Sequence, residues 1–324
     1  MERVYKILLP TPFPVGPVNV YLIEGEGLTL IDSGPNTPEA WEALVQGFSY
    51  FGVSFKDLRR IIITHGHSDH YGLAARIVRE SGAEVWAHEG DRWMIEDHPK
   101  GFLQWVDFLR RFLPSTGLSP GLANRICDYI ADRQDYAMAV ELNRVLKDGD
   151  RLHIRDFVLE VIASPGHSPG HICLLEPSSG YLFSGDQILK KITPNPILQP
   201  FSDFFGERFQ GLVSYRRSLE RLHGLSVETV LPGHGEEFHA LNNRLEEIHR
   251  HIEERKGSFL TILRKGWLTP LQVAEDLFPD LPRSQILLAL SEVIGHLDLL
   301  QKEGRIKVKE REGILFISLL KMAP

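Results

Sequence analysis

At residues 60–70 the chain reads RIIITHGHSDH. The apolar run that ends in Thr predicts a buried strand over 60–64. The residues that follow hold three histidines and one aspartate, and so many polar groups cannot contribute to a hydrophobic core. Imidazole nitrogens together with a carboxylate are donors that a borderline divalent ion accepts. The stretch therefore predicts a metal-binding loop at the end of a strand.

The spacing within this loop indicates more than one metal ion. In an extended segment His65 and His67 point to the same side, whereas Asp69 and His70 can turn to another. One loop could then serve two ions. The alternative, a solvated polar run at the surface, leaves the aspartate and the alternation of the histidines unexplained.

Three later segments could supply the remaining ligands, because each places a His or an Asp just after a predicted strand. His167 lies in SPGHSPGHI, Asp186 ends YLFSGD, and His234 lies in PGHGEE. Each segment alone indicates no more than a turn residue or a cap. Their joint occurrence behind HGHSDH makes a metal site the better interpretation.

These motifs, in this order, resemble those of the metallo-β-lactamase superfamily, whose members share HxHxDH followed by a distant His, a bridging Asp and a final His. The resemblance covers roughly residues 3–240. It implies two divalent ions, one held by His65, His67 and His167, the other by Asp69, His70 and His234, with Asp186 bridging them. We expect zinc, and iron or manganese would also accept this donor set.

The same resemblance implies an α/β fold, a four-layer αββα sandwich of two mixed sheets with the metal site at one edge. The predicted catalytic domain spans residues 1–240. Within it Asp32, in LIDSGP, matches a family aspartate that supports the metal loops without binding the metal. An Asp before Ser-Gly is also a common turn former, so both interpretations stay open.

Residues 88–147 interrupt the predicted strands with helical patterns, at 102–113 and from Leu122 to Leu146. We interpret this part as a helical insertion. Its first pattern is apolar on more than one face, through Phe102, Trp105, Val106, Phe108, Leu109, Phe112 and Leu113. These side chains could form a lid over the site or a homodimer contact, or could be buried against the sandwich.

Residues 241–324 have a different pattern, in which predicted helices lead to two short strands, RIKVKE and GILFISLL. Helix, helix, helix and hairpin is the outline of a winged-helix domain. From Gly257 to Pro324 there are nine Lys or Arg and eight Asp or Glu, so this domain offers phosphates little net charge. We therefore expect it to pack on the catalytic domain or on a second subunit.

The resemblance also implies a mechanism, because two ions that share a water lower its pKa to about 7. The chain would then be a hydrolase that attacks its substrate with a metal-bound hydroxide. Asp69 is the expected catalytic residue, which accepts a hydrogen bond from the hydroxide and helps to protonate the leaving group. No Ser or Cys nucleophile is required.

The order of the motifs is most similar to that of glyoxalase-II-like thioester hydrolases. This favours a small acyl substrate, namely an acyl thioester, a hydroxyacyl-glutathione-like compound or a lactone. However, 96 residues separate His70 from His167, far more than in those relatives. Lys190 and Lys191 could attract an anionic group of the substrate, although exposed lysines are usually only solvated.

Two alternative functions stay open. β-Lactamase-like proteins with a winged-helix domain include single-strand-specific endoribonucleases, which would act on phosphodiesters. A protein that binds a ligand and passes the signal on without catalysis is the second alternative, which the seven intact ligand positions disfavour.

Composition indicates the expected partners and cellular compartment of the protein, but not its reaction. With 36 Lys or Arg and 43 Asp or Glu the net charge is −7, which argues against nucleic acid as the main partner. Two cysteines allow one disulfide at most, as suits a reducing compartment. Apolar runs stay well below the ~20 residues that cross a bilayer. We expect a soluble, cytoplasmic protein without membrane insertion.

Overall fold

A computed structural model describes residues 4–200 and 208–320. In these ranges the strands are β1 (Val4–Leu9), β2 (Val18–Gly25), β3 (Gly27–Ile31), β4 (Leu58–Ile62), β5 (Glu84–His88), β6 (Arg144–Leu146), β7 (Arg151–Ile154), β8 (Phe157–Ala163), β9 (Ile172–Glu176), β10 (Tyr181–Gly185), β11 (Thr229–Pro232), β12 (Ile306–Arg311) and β13 (Ile314–Leu319). The α-helices are α1 (Pro38–Tyr50), α2 (Ser68–Tyr71), α3 (Ala74–Ser81), α4 (Arg92–Glu96), α5 (Lys100–Phe112), α6 (Pro120–Ala131), α7 (Gly211–Leu222), α8 (Leu241–Ile262), α9 (Pro270–Leu277) and α10 (Ile286–Lys302).

Two sheets form the centre of the molecule. The first has the order β1-β2-β3-β4-β5-β6 and is antiparallel from β1 to β3 and parallel from β3 to β6. The second has the order β11-β10-β9-β8-β7 and is antiparallel except for β10 and β11. Parallel strands that are buried on both faces need continuous apolar runs. The three consecutive isoleucines at 61–63, just before the HGHSDH segment, are fully buried for that reason.

The two sheets pack face to face between layers of helices. Ile62 of the first sheet and Phe183 of the second belong to one buried cluster. The outer face of the first sheet is covered by α1 and α3, and Leu44 of α1 is fully buried there. The outer face of the second sheet is covered by α7 and α8, and Ile248 of α8 is fully buried. The fold is therefore the expected αββα sandwich.

The insertion contains α4, α5 and α6, but its last part differs from the prediction. The helical pattern that begins at Leu122 ends with α6 at Ala131, and Arg144–Leu146 form strand β6. A helix to Leu146 is therefore wrong. The strand forms because β5 has an open edge, and Trp86 of β5 takes Arg144 as its parallel partner.

Most apolar side chains of α5 and of the next residue, Leu113, pack inside the protein. Four are buried in a core shared with the sandwich, namely Phe102, Val106, Leu109 and Leu113. Three are half-buried and pack against the same core, namely Trp105, Phe108 and Phe112. Burial against the sandwich is thus the interpretation that the structure supports for these residues.

The region after residue 240 has the expected order of helices and a hairpin, and its assignment as a winged-helix domain stays a prediction. Leu268, just before α9, pairs with Ile317 of β13. Leu290 of α10 is fully buried in the core that also contains Leu109 of α5. The C-terminal region therefore packs on the insertion as well as on the sandwich. Among the described helices, none has the length and apolarity that crossing a membrane requires.

Both cysteines are buried and free. Burial raises the pKa of the Cys127 thiol, and it raises the pKa of Cys173 to about 12. Both thiols are therefore protonated at neutral pH, a state in which neither is a good nucleophile.

Candidate metal centre

The HGHSDH segment leaves β4 and enters the short helix α2. His65 is buried, His67 is half-buried just before the helix, and Asp69 and His70 lie within it. His65 Nε2 lies 3.1 Å from His67 Nδ1, so these two rings direct one nitrogen each toward the same place. The helical turn directs Asp69 and His70 elsewhere, as the alternation predicts.

Three strand ends of the second sheet bring further side chains to this segment. His167 lies between β8 and β9, Asp186 follows β10, and His234 follows β11. Asp186 Oδ2 lies 3.6 Å from His167 Nε2 and 3.6 Å from His234 Nε2. Asp186 Oδ1 lies 3.5 Å from His70 Nε2. Asp186 therefore lies between side chains from both sheets.

The seven predicted ligand residues are all brought together. Their donor atoms form three overlapping groups, each within 4.8 Å: His65, His67 and His167; His65, His70 and Asp186; and Asp69, His70 and His234. The first and third groups correspond to the two ion sites expected from the motifs. The second joins them through Asp186. Whether these atoms bind metal stays a prediction.

The centre of the cluster holds polar atoms that need a partner. Four buried atoms have no hydrogen-bond partner among the described residues, namely Nε2 of His70, His167 and His234 and Oδ1 of Asp186. A buried polar atom without a partner costs about 1–3 kcal/mol. Divalent cations between these atoms would satisfy all of them, and imidazoles with carboxylates suit zinc, iron or manganese. The residues present therefore fit two divalent metal ions.

The histidines of the first group are held neutral. Burial, aided by the neighbouring imidazoles, lowers the pKa of His65 well below its usual value. Burial and the proximity of His167 lower the pKa of His67 to about 3. Burial also lowers the pKa of His167 itself. A neutral imidazole is the form that binds a metal, so these three side chains are prepared for it.

Around His70 and Asp186, histidines and carboxylates shift each other's pKa values in opposite directions. Burial lowers the pKa of His70, but Asp186, Asp32 and Asp69 more than offset it, so the pKa is raised well above its usual value. For Asp186, burial raises the pKa, and His234 and His70 lower it well below its usual value. The carboxylates thus require positive charge here, from protonated imidazoles or from bound cations.

Asp32 lies behind the ligands and acts on two of them. Its Oδ2 accepts hydrogen bonds from His70 Nδ1 and from Thr64 Oγ1, both at 2.8 Å, and its Oδ1 accepts one from Thr64 N at 2.8 Å. Thr64 Oγ1 in turn lies 3.1 Å from His65 Nδ1. Asp32 thus orients His70 directly and His65 through Thr64. These bonds hold a residue whose φ of 59° is uncommon outside glycine.

Asp91 was not predicted from the sequence, because an Asp in HEGD after β5 looks like an ordinary surface residue. Its carboxylate is buried and accepts hydrogen bonds from Gly66 N at 2.7 Å, Ser168 Oγ at 2.5 Å and Gly170 N at 2.8 Å. A Cβ on Gly170 would lie 2.4 Å from Asp91 N, so only glycine allows this approach. Burial raises the pKa of Asp91, and the three donors offset part of that effect.

The other ligand histidines are oriented by partners that no motif indicates. In each case the ring nitrogen that points away from the cluster contacts a polar group. His167 Nδ1 donates to Asn195 O at 3.0 Å, and His234 Nδ1 donates to Pro17 O at 2.9 Å. His67 Nε2 lies 3.0 Å from Gln199 Nε2. Backbone carbonyls carry no residue-type signature. Their positions could therefore not be inferred from composition or spacing.

The two lysines predicted to attract the substrate lie outside the cluster of ligands. Lys190 Nζ donates to Glu236 Oε2 at 2.7 Å, and Lys191 is exposed. Glu236 comes two residues after His234, which places Lys190 near the rim of the site. Contact between either lysine and a substrate stays a prediction.

Comparison with known proteins agrees with this geometry. Residues 13–234 match the family model of the metallo-beta-lactamase superfamily. The probable metallo-hydrolase YqjP of Bacillus subtilis (strain 168) is 33% identical over 320 residues, which cover 94% of each chain. The hydroxyacylglutathione hydrolase GloC of Haemophilus influenzae is 29% identical over 150 residues, or 46% of this chain and 57% of GloC.

A solved structure extends the similarity to the whole chain. The metallo-beta-lactamase family protein TTHA1429 from Thermus thermophilus superposes with a TM-score of 0.84 at 26% identity. The superposition covers 99% of both chains. The region after residue 240 is therefore part of the shared architecture.

Proposed function

Because this chain belongs to the metallo-β-lactamase superfamily, we propose that it is a hydrolase that uses two divalent metal ions to cleave an ester or thioester bond. One observation carries the proposal. Buried donor atoms of His70, His167, His234 and Asp186 converge without a hydrogen-bond partner among the described residues. A structural histidine cluster would use both ring nitrogens in hydrogen bonds, because unpaired buried polar atoms are costly.

The proposed ligand sets follow the groups of donor atoms. His65, His67 and His167 would hold one ion, and Asp69, His70 and His234 would hold the other. Asp186, which lies between the two sets, would serve both. Divalent ions bound by these residues would supply a Lewis acid for the oxygen of the scissile bond and would lower the pKa of a bound water. We propose zinc as the resident metal.

Asp69 is the residue that handles protons in this proposal. Its Oδ2 lies 3.4 Å from His234 Nε2. Burial raises the pKa of Asp69, but His70 and His234 together lower it by more than burial raises it. The net shift of the pKa is downward, so the carboxylate is ionised at neutral pH. The carboxylate accepts a proton from the attacking water and delivers it to the leaving oxygen or sulfur as the C–O or C–S bond breaks.

Two observations support a small acyl substrate. The relative GloC, which aligns with 46% of this chain, is named as a hydrolase of hydroxyacylglutathione, a thioester. The basic hairpin of the C-terminal region is engaged within the chain, since Lys309 Nζ lies 3.6 Å and Lys307 Nζ 5.3 Å from the centre of the Trp267 ring. The contact with the ring engages part of the hairpin's positive charge, which agrees with the low net charge of this region in disfavouring phosphates.

The test is a turnover screen of the zinc-loaded protein against acyl thioesters, lactones, phosphodiesters and single-stranded RNA. We expect turnover of thioesters or lactones. Asp69→Ala should lower that turnover about 10²–10⁴-fold, the usual contribution of a positioned proton-transfer group. The exposed Asp107→Ala on α5 is the matched control and should keep wild-type activity.

Each part of the proposal can fail separately. Cleavage of RNA alone would overturn the acyl substrate. Unchanged turnover in Asp69→Ala, with wild-type zinc content, would overturn the role of Asp69. A protein that binds zinc but turns over none of the four substrate classes would favour a ligand-binding role.

A further inference from the structure

The ligand histidines share a regular arrangement. Each directs one ring nitrogen toward the cluster and the other toward a polar group of the surrounding protein. For four of them the outer nitrogen is Nδ1 and its partner is an oxygen: Thr64 Oγ1 for His65, Asp32 Oδ2 for His70, Asn195 O for His167 and Pro17 O for His234. An outer hydrogen bond to oxygen places the proton on Nδ1 and leaves Nε2 free to bind a metal.

His67 has the opposite orientation. Its Nδ1 lies 3.1 Å from His65 Nε2 and so faces the cluster. Its outer nitrogen is Nε2, which lies 3.0 Å from the carboxamide nitrogen of Gln199. If Nδ1 binds a metal, Nε2 must carry the ring proton and needs an acceptor. A half-turn about the terminal bond of Gln199 exchanges its amide nitrogen and oxygen and brings Oε1 to this place.

We propose that Gln199 is a positioning residue for His67. Its carboxamide oxygen accepts a hydrogen bond from His67 Nε2–H and thereby holds His67 as a ligand through Nδ1. The inference rests on the proposed metal-dependent function. It gives His67 an oxygen acceptor for its outer ring nitrogen, as the other four ligand histidines already have.

Gln199 is buried, and hydrogen bonds hold the backbone on both sides of its side chain. Gln199 is 4% exposed, and its backbone oxygen accepts a hydrogen bond from Phe209 N at 3.2 Å. The preceding residue, Leu198, accepts a hydrogen bond from Trp105 Nε1 at 2.7 Å and donates one to Ser291 Oγ at 3.2 Å. The insertion and the C-terminal region thus place the carboxamide against His67 in the segment that follows β4.

The experiment measures zinc binding and the protonation of the His67 ring. Gln199→Met keeps the length of the side chain and removes the strong acceptor, whereas Gln199→Glu keeps an acceptor. Metal-free proteins are titrated with zinc by calorimetry, and ¹⁵N-labelled histidine spectra report which ring nitrogen of His67 carries the proton. The exposed Gln301→Met is the matched control.

We expect Gln199→Met to weaken zinc binding about 10–100-fold, as loss of a ligand's outer partner does. Gln199→Glu should recover most of this loss, and Gln301→Met should bind zinc as the wild type does. In the zinc-loaded wild type the His67 proton should reside on Nε2, and in Gln199→Met it should exchange faster.

Three results would overturn the inference. Wild-type affinity and an unchanged His67 signal in Gln199→Met would show that the carboxamide does not act on His67. Equal losses in Gln199→Met and Gln199→Glu would assign Gln199 to packing alone. Failure of the wild type to bind zinc would overturn the proposed function, and this inference with it.

Discussion

Asp91 joins two ligand loops although it belongs to neither. Gly66 of the first loop and Ser168 and Gly170 of the second donate hydrogen bonds to its carboxylate. All three donors are close in sequence to predicted metal ligands, which come from different sheets. Hydrogen bonds to an ionised group are stronger than those between neutral groups. One carboxylate thus fixes the spacing of the loops that supply the first ion site.

Asp91→Asn should therefore destabilise the metal-free protein by about 1–3 kcal/mol. The amide replaces one accepting oxygen with an NH₂ group, and in either orientation this group faces a backbone N–H, that of Gly66 or that of Gly170, so that two donors oppose each other. Urea unfolding followed by circular dichroism measures the loss.

Ser168→Ala is the control for this change, because it removes one donor and leaves the carboxylate with two. Its effect on the free energy of unfolding should be smaller than that of Asp91→Asn. Wild-type stability in Asp91→Asn would mean that the carboxylate does not link the loops.

At the level of elements, residues 186–200 after β10 link the candidate metal centre to helices of the insertion and of the C-terminal region. Asn195 in this connection accepts a hydrogen bond from His167. Three residues later, Leu198 is bound on one side by Trp105 of α5 and on the other by Ser291 of α10. A single stretch of loop is thus held by the insertion, the C-terminal region and a proposed ligand.

Ser291→Ala should loosen this connection locally. The hydrogen bond from Leu198 N to Ser291 Oγ contributes about 1 kcal/mol, so the Leu198 amide should exchange its hydrogen about fivefold faster in the variant. Hydrogen exchange followed by NMR measures the change at this one amide.

Ser258→Ala on α8 is a matched control. Both serines bond to the carbonyl four residues earlier in their own helix, Ser258 to Glu254 and Ser291 to Leu287, but Ser258 is exposed. If Ser258→Ala changed the exchange of Leu198 as much as Ser291→Ala does, the effect would belong to helix stability and not to the loop contact.

For the molecule as a whole, the candidate metal centre links the two sheets. The HGHSDH segment follows β4 of the first sheet, whereas Asp186 and His234 follow strands of the second. Ions held by side chains from both sheets would stabilise the sandwich as a unit. Because the ions would bind the folded protein and not the unfolded chain, their binding would raise the free energy of unfolding.

Zinc should therefore raise the midpoint of thermal unfolding of chelator-treated protein. At a thousandfold excess over the dissociation constant the stabilisation is about 4 kcal/mol. Differential scanning calorimetry measures the shift. Magnesium at the same concentration should produce a smaller shift, because it prefers oxygen ligands and octahedral geometry.

Asp186→Asn tests whether the shift arises at the proposed centre. The variant loses the charge between the two ligand groups and should respond to zinc much less than the wild type. An equal shift in both proteins would place the stabilising zinc elsewhere.

The seven side chains that the structure brings together could be found in the sequence, and the resemblance of their motifs to those of a known family implied the αββα architecture. Ligand chemistry restricts the residue types to His and Asp, and each lies at the end of an apolar strand. The order of the motifs resembles that of a known family, and this resemblance assigned them to one site. The same resemblance pointed to Asp32, but the sequence left open whether this residue was only a turn former.

What holds these side chains in place became visible only in the folded chain. Asp91 and Gln199 look like ordinary polar residues in the sequence, and Asn195 and Pro17 act through backbone oxygens. Strand β6 formed at Arg144–Leu146 because an open strand edge was adjacent in space. Such interactions depend on which distant segments come into contact after folding. Residue type and periodicity do not predict those contacts.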